Sequence, residues 1–282
     1  MTKRFFSALV MAGFLSTPIQ AQSFVTESIN AAIEAVQDGL DLIWPDDISL
    51  EDVNARVGFG MGITPDYIGS NNYRLRFIPL IDVRYKEAWR LNGSLLSFSA
   101  YKNNNLELGP LVNLRFGRQE SRNSVLDGLG DIDTTLEIGA FVRYKTDIMH
   151  LSADYRYGLG ENIRSSIRVS AAHGIFQKGN FSALLSGRAR WLSKTSMQSE
   201  FGISEAQAST STFGLPAFEA GAGISEVSAN LVGAYRLNEK TRILSLISYG
   251  HLFSSAADSP LAASGAGSKS QFIVGTGLAY SF

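Results

Sequence analysis

From Val53 to the last residue, hydrophobic and polar positions alternate with a period of two. Val53, Ala55, Val57, Phe59, Met61 and Ile63 fall on one face of an extended segment, with Asn54, Arg56, Gly58, Gly60 and Gly62 on the other. Leu75, Phe77, Pro79, Ile81, Val83 and Tyr85 repeat the pattern against Arg74, Arg76, Asp82, Arg84 and Lys86. Pro79 predicts a bulge, because a proline inside a paired strand forfeits a ladder bond. Further runs follow at Trp89–Tyr101, Leu106–Gly117, Thr134–Lys145, Ile148–Tyr157, Ile163–Ile175 and Phe181–Trp191, then at Ala217–Ile224, Val227–Tyr235, Thr241–Phe253 and Gln271–Phe282. Phase slips at Leu95-Leu96, and the runs on either side of Ser225-Glu226 also read as one long strand. In the closing run Phe272, Val274, Leu278, Tyr280 and Phe282 oppose Gln271, Gly275, Gly277 and Ser281. These runs predict an all-β fold, an antiparallel transmembrane β-barrel of about 12 strands over residues 53–282. An amphipathic β-sandwich also alternates, but it seldom keeps phase over so many segments.

Residues 22–52 follow a different rule. Val25, Ile29, Ile33, Val36, Leu40 and Ile43 recur at steps of three and four, one face of a short amphipathic helix that Pro45 should end. The segment has no Lys or Arg but carries Glu27, Glu34, Asp38, Asp41, Asp46, Asp47, Glu51 and Asp52. It is expected to be periplasmic or lumenal. Residues 1–21 hold Lys3 and Arg4, an apolar run and Ala21, the pattern of a cleaved signal peptide, so export to the cell outer membrane is expected.

Turn-forming sets at Lys102–Asn105, Gly158–Asn162, Gln177–Asn180 and Asn238–Lys240 mark tight connections. Long ones run over Thr64–Tyr73, Arg118–Asp133, Leu192–Pro216 and Ser254–Ser270. With periplasmic termini and the strands placed as above, the second and third long connections should face the periplasm.

Charge sharpens this picture. Basic residues concentrate on the face that alternation keeps away from lipid, where Arg56, Arg76, Arg84, Arg115, Arg143, Arg168, Arg188 and Arg242 are candidates to line a lumen. Exclusion from the lipid face is physically required, since Arg or Lys at the bilayer midplane costs about 2–4 kcal/mol. These guanidiniums can fill a narrow lumen by pairing with its own acids, or they can receive the acidic segment as a plug. A formal net charge of -1 gives no reason to expect a nucleic-acid partner. With no cysteine, disulfides, thiolate metal sites and a Cys nucleophile are impossible.

Candidate chemistry is thin. His173 and His251 fall on the lipid phase, out of reach of a polar substrate. His150 shares a face with Ser152 and Asp154, a combination that arises readily in any polar-filled barrel. No two histidines have metal-ligand spacing, and Asp127, Asp131 and Asp133 lack the closing Glu of a calcium loop. No enzyme activity, metal or cofactor is expected.

Four connection motifs carry a resemblance: Pro65-Asp66-Tyr67-Ile68-Gly69-Ser70, Leu126-Asp127-Gly128-Leu129-Gly130-Asp131-Ile132-Asp133, Phe201-Gly202-Ile203-Ser204-Glu205-Ala206-Gln207-Ala208-Ser209 and Ala257-Asp258-Ser259-Pro260-Leu261. In this order they resemble the MipA/OmpV family of outer-membrane barrels, over nearly all of Val53–Phe282. The resemblance implies a scaffold for peptidoglycan-remodelling enzymes, with a murein lytic transglycosylase and a penicillin-binding protein as partners. Phe201-Gly202-Ile203 stands where many members carry a tyrosine-rich run, and the acidic lead-in is longer than usual. Partner-loop candidates are Asp66, Tyr67, Asp127, Asp131, Asp133, Phe201, Glu205 and Asp258. Gly69, Gly128, Gly130 and Gly202 also read as positive-φ turn residues. The alternatives are a small channel or solute-binding barrel with a basic, anion-favouring lumen, and a barrel-embedded hydrolase.

Overall fold

Residues 27–44 and 53–282, apart from 87, 161–163, 264 and 266, are described by a computed structural model of the chain. The expected signal peptide, Pro45 and the acids Asp46, Asp47, Glu51 and Asp52 lie outside the described residues.

The alternating runs form one antiparallel ladder of twelve strands. These are β1 (Val53–Pro65), β2 (Tyr73–Tyr85), β3 (Trp89–Asn92), β4 (Leu95–Phe98), β5 (Leu106–Arg115) and β6 (Thr135–Lys145), followed by β7 (Met149–Gly158), β8 (Arg164–Lys178), β9 (Phe181–Leu192), β10 (Gly223–Arg236), β11 (Thr241–Leu252) and β12 (Ser270–Ser281). After Ser99 and Ala100, β4 resumes at Tyr101–Lys102 against the same neighbour, β5. The sheet closes where β1 meets β12, with Arg56 opposite Ser281 and Ile63 opposite Val274. Closure joins the first strand to the last, as a strand-built membrane protein requires. Among the described residues no helix is long and apolar enough to cross a membrane.

Two expected strand assignments are corrected. Trp89–Tyr101 is a hairpin, because Gly93-Ser94 makes a two-residue turn with Gly93 at φ 58° and Asn92 opposite Leu95. Ala217–Ile224 and Val227–Tyr235 are replaced by the single strand β10, and Ala217 to Gly221 precede it. Arg190 faces Glu226 and Trp191 faces Ile224, so Ser225 is an extra residue; this bulge produced the apparent break.

The two corrections cancel in the total of twelve strands but reverse the end assigned to every connection between them. The long connections 66–72, 116–134, 193–222 and 253–269 all emerge at one end. The tight turns 103–105, 146–148, 179–180 and 237–240 lie at the other, where β1 begins and β12 finishes. The expectation that the second and third long connections face the periplasm is therefore overturned. Outer-membrane barrels keep short turns on the periplasmic side and long loops outside, and every long connection here follows that rule. The short Gly93-Ser94 turn is the one described short connection that falls on the long-loop side. Pro79 brings no bulge either: it sits opposite Phe59 in unbroken register, and β3 pairs only with Asp82–Tyr85, leaving no ladder bond to lose on that side.

The outward face is apolar, with Phe59, Phe77, Leu75 and Ile247 all more than half exposed. Aromatic residues mark both rims: Tyr85, Trp89, Tyr235 and Tyr280 near the tight turns, and Tyr73, Trp191, Tyr249 and Phe272 near the long loops. Such girdles sit at the two membrane–water interfaces. The protein is an outer-membrane β-barrel.

Candidate functional site

Two helices, α1 (Glu27–Gln37) and α2 (Leu40–Ile43), lie inside the barrel. Between them the chain passes Gly39, where an added Cβ would come within 2.8 Å of Ala172 and 2.9 Å of Leu184. A residue without a side chain lets the backbone reach the wall there.

The lumen has two unlike walls. Leu184, Val232, Ala234, Leu244, Leu246 and Ile273, from β9 to β12, form an inward apolar surface. Ala32, Ala35, Leu40, Ile43 and Trp44 are buried against it. Each fully buried Leu or Ile contributes about 1.5–3 kcal/mol.

The opposite wall is basic, and the carboxylates at 34, 38 and 41 turn towards it. Glu34 accepts from Arg168 and lies 3.2 Å from both Arg156 and Arg188. Asp38 receives Arg188 at 2.6 and 3.1 Å. Asp41 receives Arg56 at 2.8 Å and Arg84, with Lys145 at 3.7 Å and Arg90 at 3.8 Å. Burial works to raise the pKa of Glu34, but the guanidiniums of Arg168, Arg156 and Arg188 prevail and hold it far below the usual carboxylate range. Asp41 is likewise lowered: burial is outweighed by Arg90, Arg84, Arg56 and Lys145. Asp38 is raised, because burial exceeds what Arg188 returns.

The end of the helical segment is held by its carbonyls. Arg242 and Ser182 donate to Ile43 O at 2.6 and 3.0 Å, and Arg56 donates to Trp44 O at 2.8 Å. Helix ends leave such acceptors unsatisfied, and positive groups suit them doubly. Both guanidiniums also lie over the Trp44 ring, 5.5 Å away for Arg56 and 5.0 Å for Arg242. The space left between helix and basic wall is a cavity of about 80 Å³.

The candidate lumen arginines thus divide by role. Arg56, Arg84, Arg168, Arg188 and Arg242 hold the helices. Arg143 pairs with Glu107 at 3.2 Å, Arg76 meets Asp66 at 3.5 Å, and Arg115 binds Glu200 from the loops. Arg90, which joins Asp82 at 2.8 Å, was missed because its run was read as a single strand. The Gly93-Ser94 pair, a two-residue hairpin signal, would have found it.

At the other end the long loops close over the barrel. Tyr67, Val125, Leu126, Leu129, Ile203, Leu215 and Leu261, from all four loops, form one buried cluster. Helix α3 (Lys194–Phe201) supplies Glu200, which joins Arg115 and Arg190. After it comes α4 (Glu205–Thr210), and α5 (Ser254–Asp258) and α6 (Pro260–Ala263) complete the cap. Of the partner-loop candidates, Asp66, Tyr67 and Phe201 are buried and bind loop to loop rather than facing outward. Asp66 accepts from Asn123 at 3.0 Å, the Tyr67 hydroxyl donates to Leu261 O at 3.3 Å, and Phe201 O accepts from Ser259 at 2.6 Å. Burial pushes the Tyr67 phenol up to about 12. Asp131, Asp133, Glu205 and Asp258 are exposed and Asp127 is half-buried. Gly69, Gly128 and Gly130 have positive φ, whereas Gly202, at φ -76°, is instead crowded by the Gln198 side chain.

The histidine candidates do not assemble. Ser152 bonds Ser170 at 2.8 Å and Asp154 pairs with Arg156 at 2.6 Å, so neither engages His150. His251 faces outward at the loop-end rim, 3.2 Å from the Ser270 hydroxyl. No group of metal-ligating side chains occurs among the described residues.

Residues 57–282 match the family model described as MltA-interacting protein MipA. Among solved structures, the COG4313 outer membrane channel from Pseudomonas putida F1 is similar at 13% identity, covering 85% of this chain and 98% of that one, with a TM-score of 0.42. The outer membrane protein OprD from Pseudomonas aeruginosa is similar at 10% identity, covering 83% and 66%, with a TM-score of 0.36. No curated protein matches.

Proposed function

The chain belongs to the MltA-interacting protein MipA family, and from that premise we propose that it is a membrane-embedded docking platform for peptidoglycan-remodelling enzymes, with no catalysis of its own. The observation that carries this reading is the occupied lumen. Helices α1 and α2 sit between the two walls, and the loops close the far end over a shared apolar cluster. A barrel so filled offers surface rather than passage. The family is named for interaction with a murein hydrolase, and such a partner works on the periplasmic side. The surface it would meet there is the tight-turn rim, where the connections 103–105, 146–148, 179–180 and 237–240 lie.

Affinity capture from intact membranes tests this. A murein hydrolase should be recovered with the wild-type protein and with a tag inserted after Phe213 in the long loop, and lost when the tag follows Asn180 or Glu239. Recovery that is indifferent to the turn insertions, or no hydrolase at all, would overturn the platform.

A second reading is favoured by the basic wall, since guanidiniums without the plug would attract anions. Steady anion-selective conductance of the intact wild-type protein in planar bilayers would establish it instead.

A further inference from the structure

The helical segment inside the barrel displays the chemistry of what the lumen accepts. Its acids, Glu34 in α1, Asp38 in the turn after it and Asp41 in α2, meet guanidiniums contributed by strands far apart in the sequence. Its opposite side is Ala32, Val36, Leu40 and Ile43, against an inner wall that a polar-filled barrel would not carry. An apolar wall facing water is costly, so this surface implies an occupant at all times.

The fit is not that of a close-packed core. On the basic side a cavity of about 80 Å³ remains, lined by Asp38, Arg143, Arg156 and Ser170 among others. On the apolar side a crevice of about 50 Å³ runs from Ala32 and Val36 of α1 past Ile78, Leu80, Leu244 and Leu246 and reaches Phe59 and Leu278 on the outer face. Space thus persists beside both kinds of surface while the helix is in place.

From these two walls we infer that the lumen is a binding site for an amphipathic anion, a carboxylate or sulfate head on a single alkyl chain, and that α1–α2 is a tethered occupant which such a ligand displaces. The head would take the Arg156–Arg168–Arg188 cluster now used by Glu34, since a carboxylate binds a guanidinium with the same geometry whatever molecule carries it. The alkyl chain would replace Ala32, Val36 and Leu40 on the apolar wall. Because the helix is covalently attached, its effective concentration is high, and a free ligand must outcompete it. This inference rests on the barrel and its occupant, not on the docking-platform reading.

Trp44 supplies the readout: it is buried under Arg56 and Arg242, whereas the other two tryptophans, Trp89 and Trp191, lie on the lipid face. Full-length protein carrying Trp89→Phe and Trp191→Phe, in zwitterionic vesicles, is titrated with decanoate, decyltrimethylammonium and decanol at matched membrane loading. Decanoate should raise acrylamide quenching of Trp44 about threefold and saturably, and the cation and the alcohol should not. Glu34→Gln with Asp41→Asn, which loosens the helix, should lower the half-saturating decanoate concentration about tenfold, with heat-modifiable gel mobility confirming the folded barrel. Equal responses to the three amphiphiles, a response that never saturates, or a half-saturation unmoved by the double variant would each refute the site. The amphiphile comparison on the unaltered lumen decides the matter even if the double variant fails to fold.

Discussion

The barrel is closed at its middle and at its loop end by two different chemistries. Inside, a single segment is held by ion pairs on one side and apolar contact on the other. At the loop end, four connections bury a common apolar cluster around Tyr67, Leu126 and Leu261, with a few buried ionic knots such as Glu200 between Arg115 and Arg190 beside it. The plug is one continuous piece whose hold depends on strands it did not come from, so it can leave as a unit. The cap is made of pieces that stabilise one another, each returning directly into a strand, so it can loosen but not depart.

The largest effect should come from reversing a plug charge. Asp41→Lys sets an ammonium among Arg56, Arg84, Arg90 and Lys145. Removing one partner from a buried charge network costs about 3–5 kcal/mol, so protease protection of residues 27–44 should vanish while the cap stays protected; unchanged protection would mean that the apolar wall alone holds the plug. In the cap, Leu126→Ala removes a fully buried side chain at a cost of about 2–5 kcal/mol. It should expose 116–134 and 193–222 to protease and leave the plug in place; loss of both together would show that the two closures are coupled. Gly39→Val drives a side chain into Ala172 and Leu184 and should weaken plug docking by about 1–3 kcal/mol, read as greater Trp44 quenching.

A gentler lever is pH. Glu34 and Asp41 have folded pKa values below their free ones, so their contribution to docking is complete above about pH 4.5 and fades as pH falls through the lowered values. Asp38, raised, opposes this by favouring its protonated form in the docked state. Plug protection should persist from pH 7 to pH 5; release in that window would contradict the carboxylate account. The smallest effect is expected of Asp258→Asn, whose 3.7 Å pair with Lys269 is exposed and should leave thermal stability nearly unchanged.

Alternation alone made the barrel legible, because lipid tolerates no charge and every spanning strand must obey the same rule. The acids of α1–α2 and the arginines of the wall were also visible as two complementary sets. Which end each loop occupies was not. Gly93-Ser94 adds a strand and Ser225 merges two, and the end on which a loop emerges depends on the parity of every strand before it. Nor was the second, apolar wall recognised, although Leu184-Leu185, Leu231-Val232, Leu246-Ile247 and Ile273-Val274 place large apolar residues on both faces of their strands.

Sequence by itself settled membrane class, strand period and the sign of the charge inside, since each is imposed by solvent on residues one or two positions apart. Only the closed structure decided which carboxylate meets which guanidinium, that four separate loops share one core, and that the lumen has two faces. Those facts depend on curvature and register, which bring together residues more than a hundred positions apart, such as Glu34 and Arg168, and no local pattern encodes such distances.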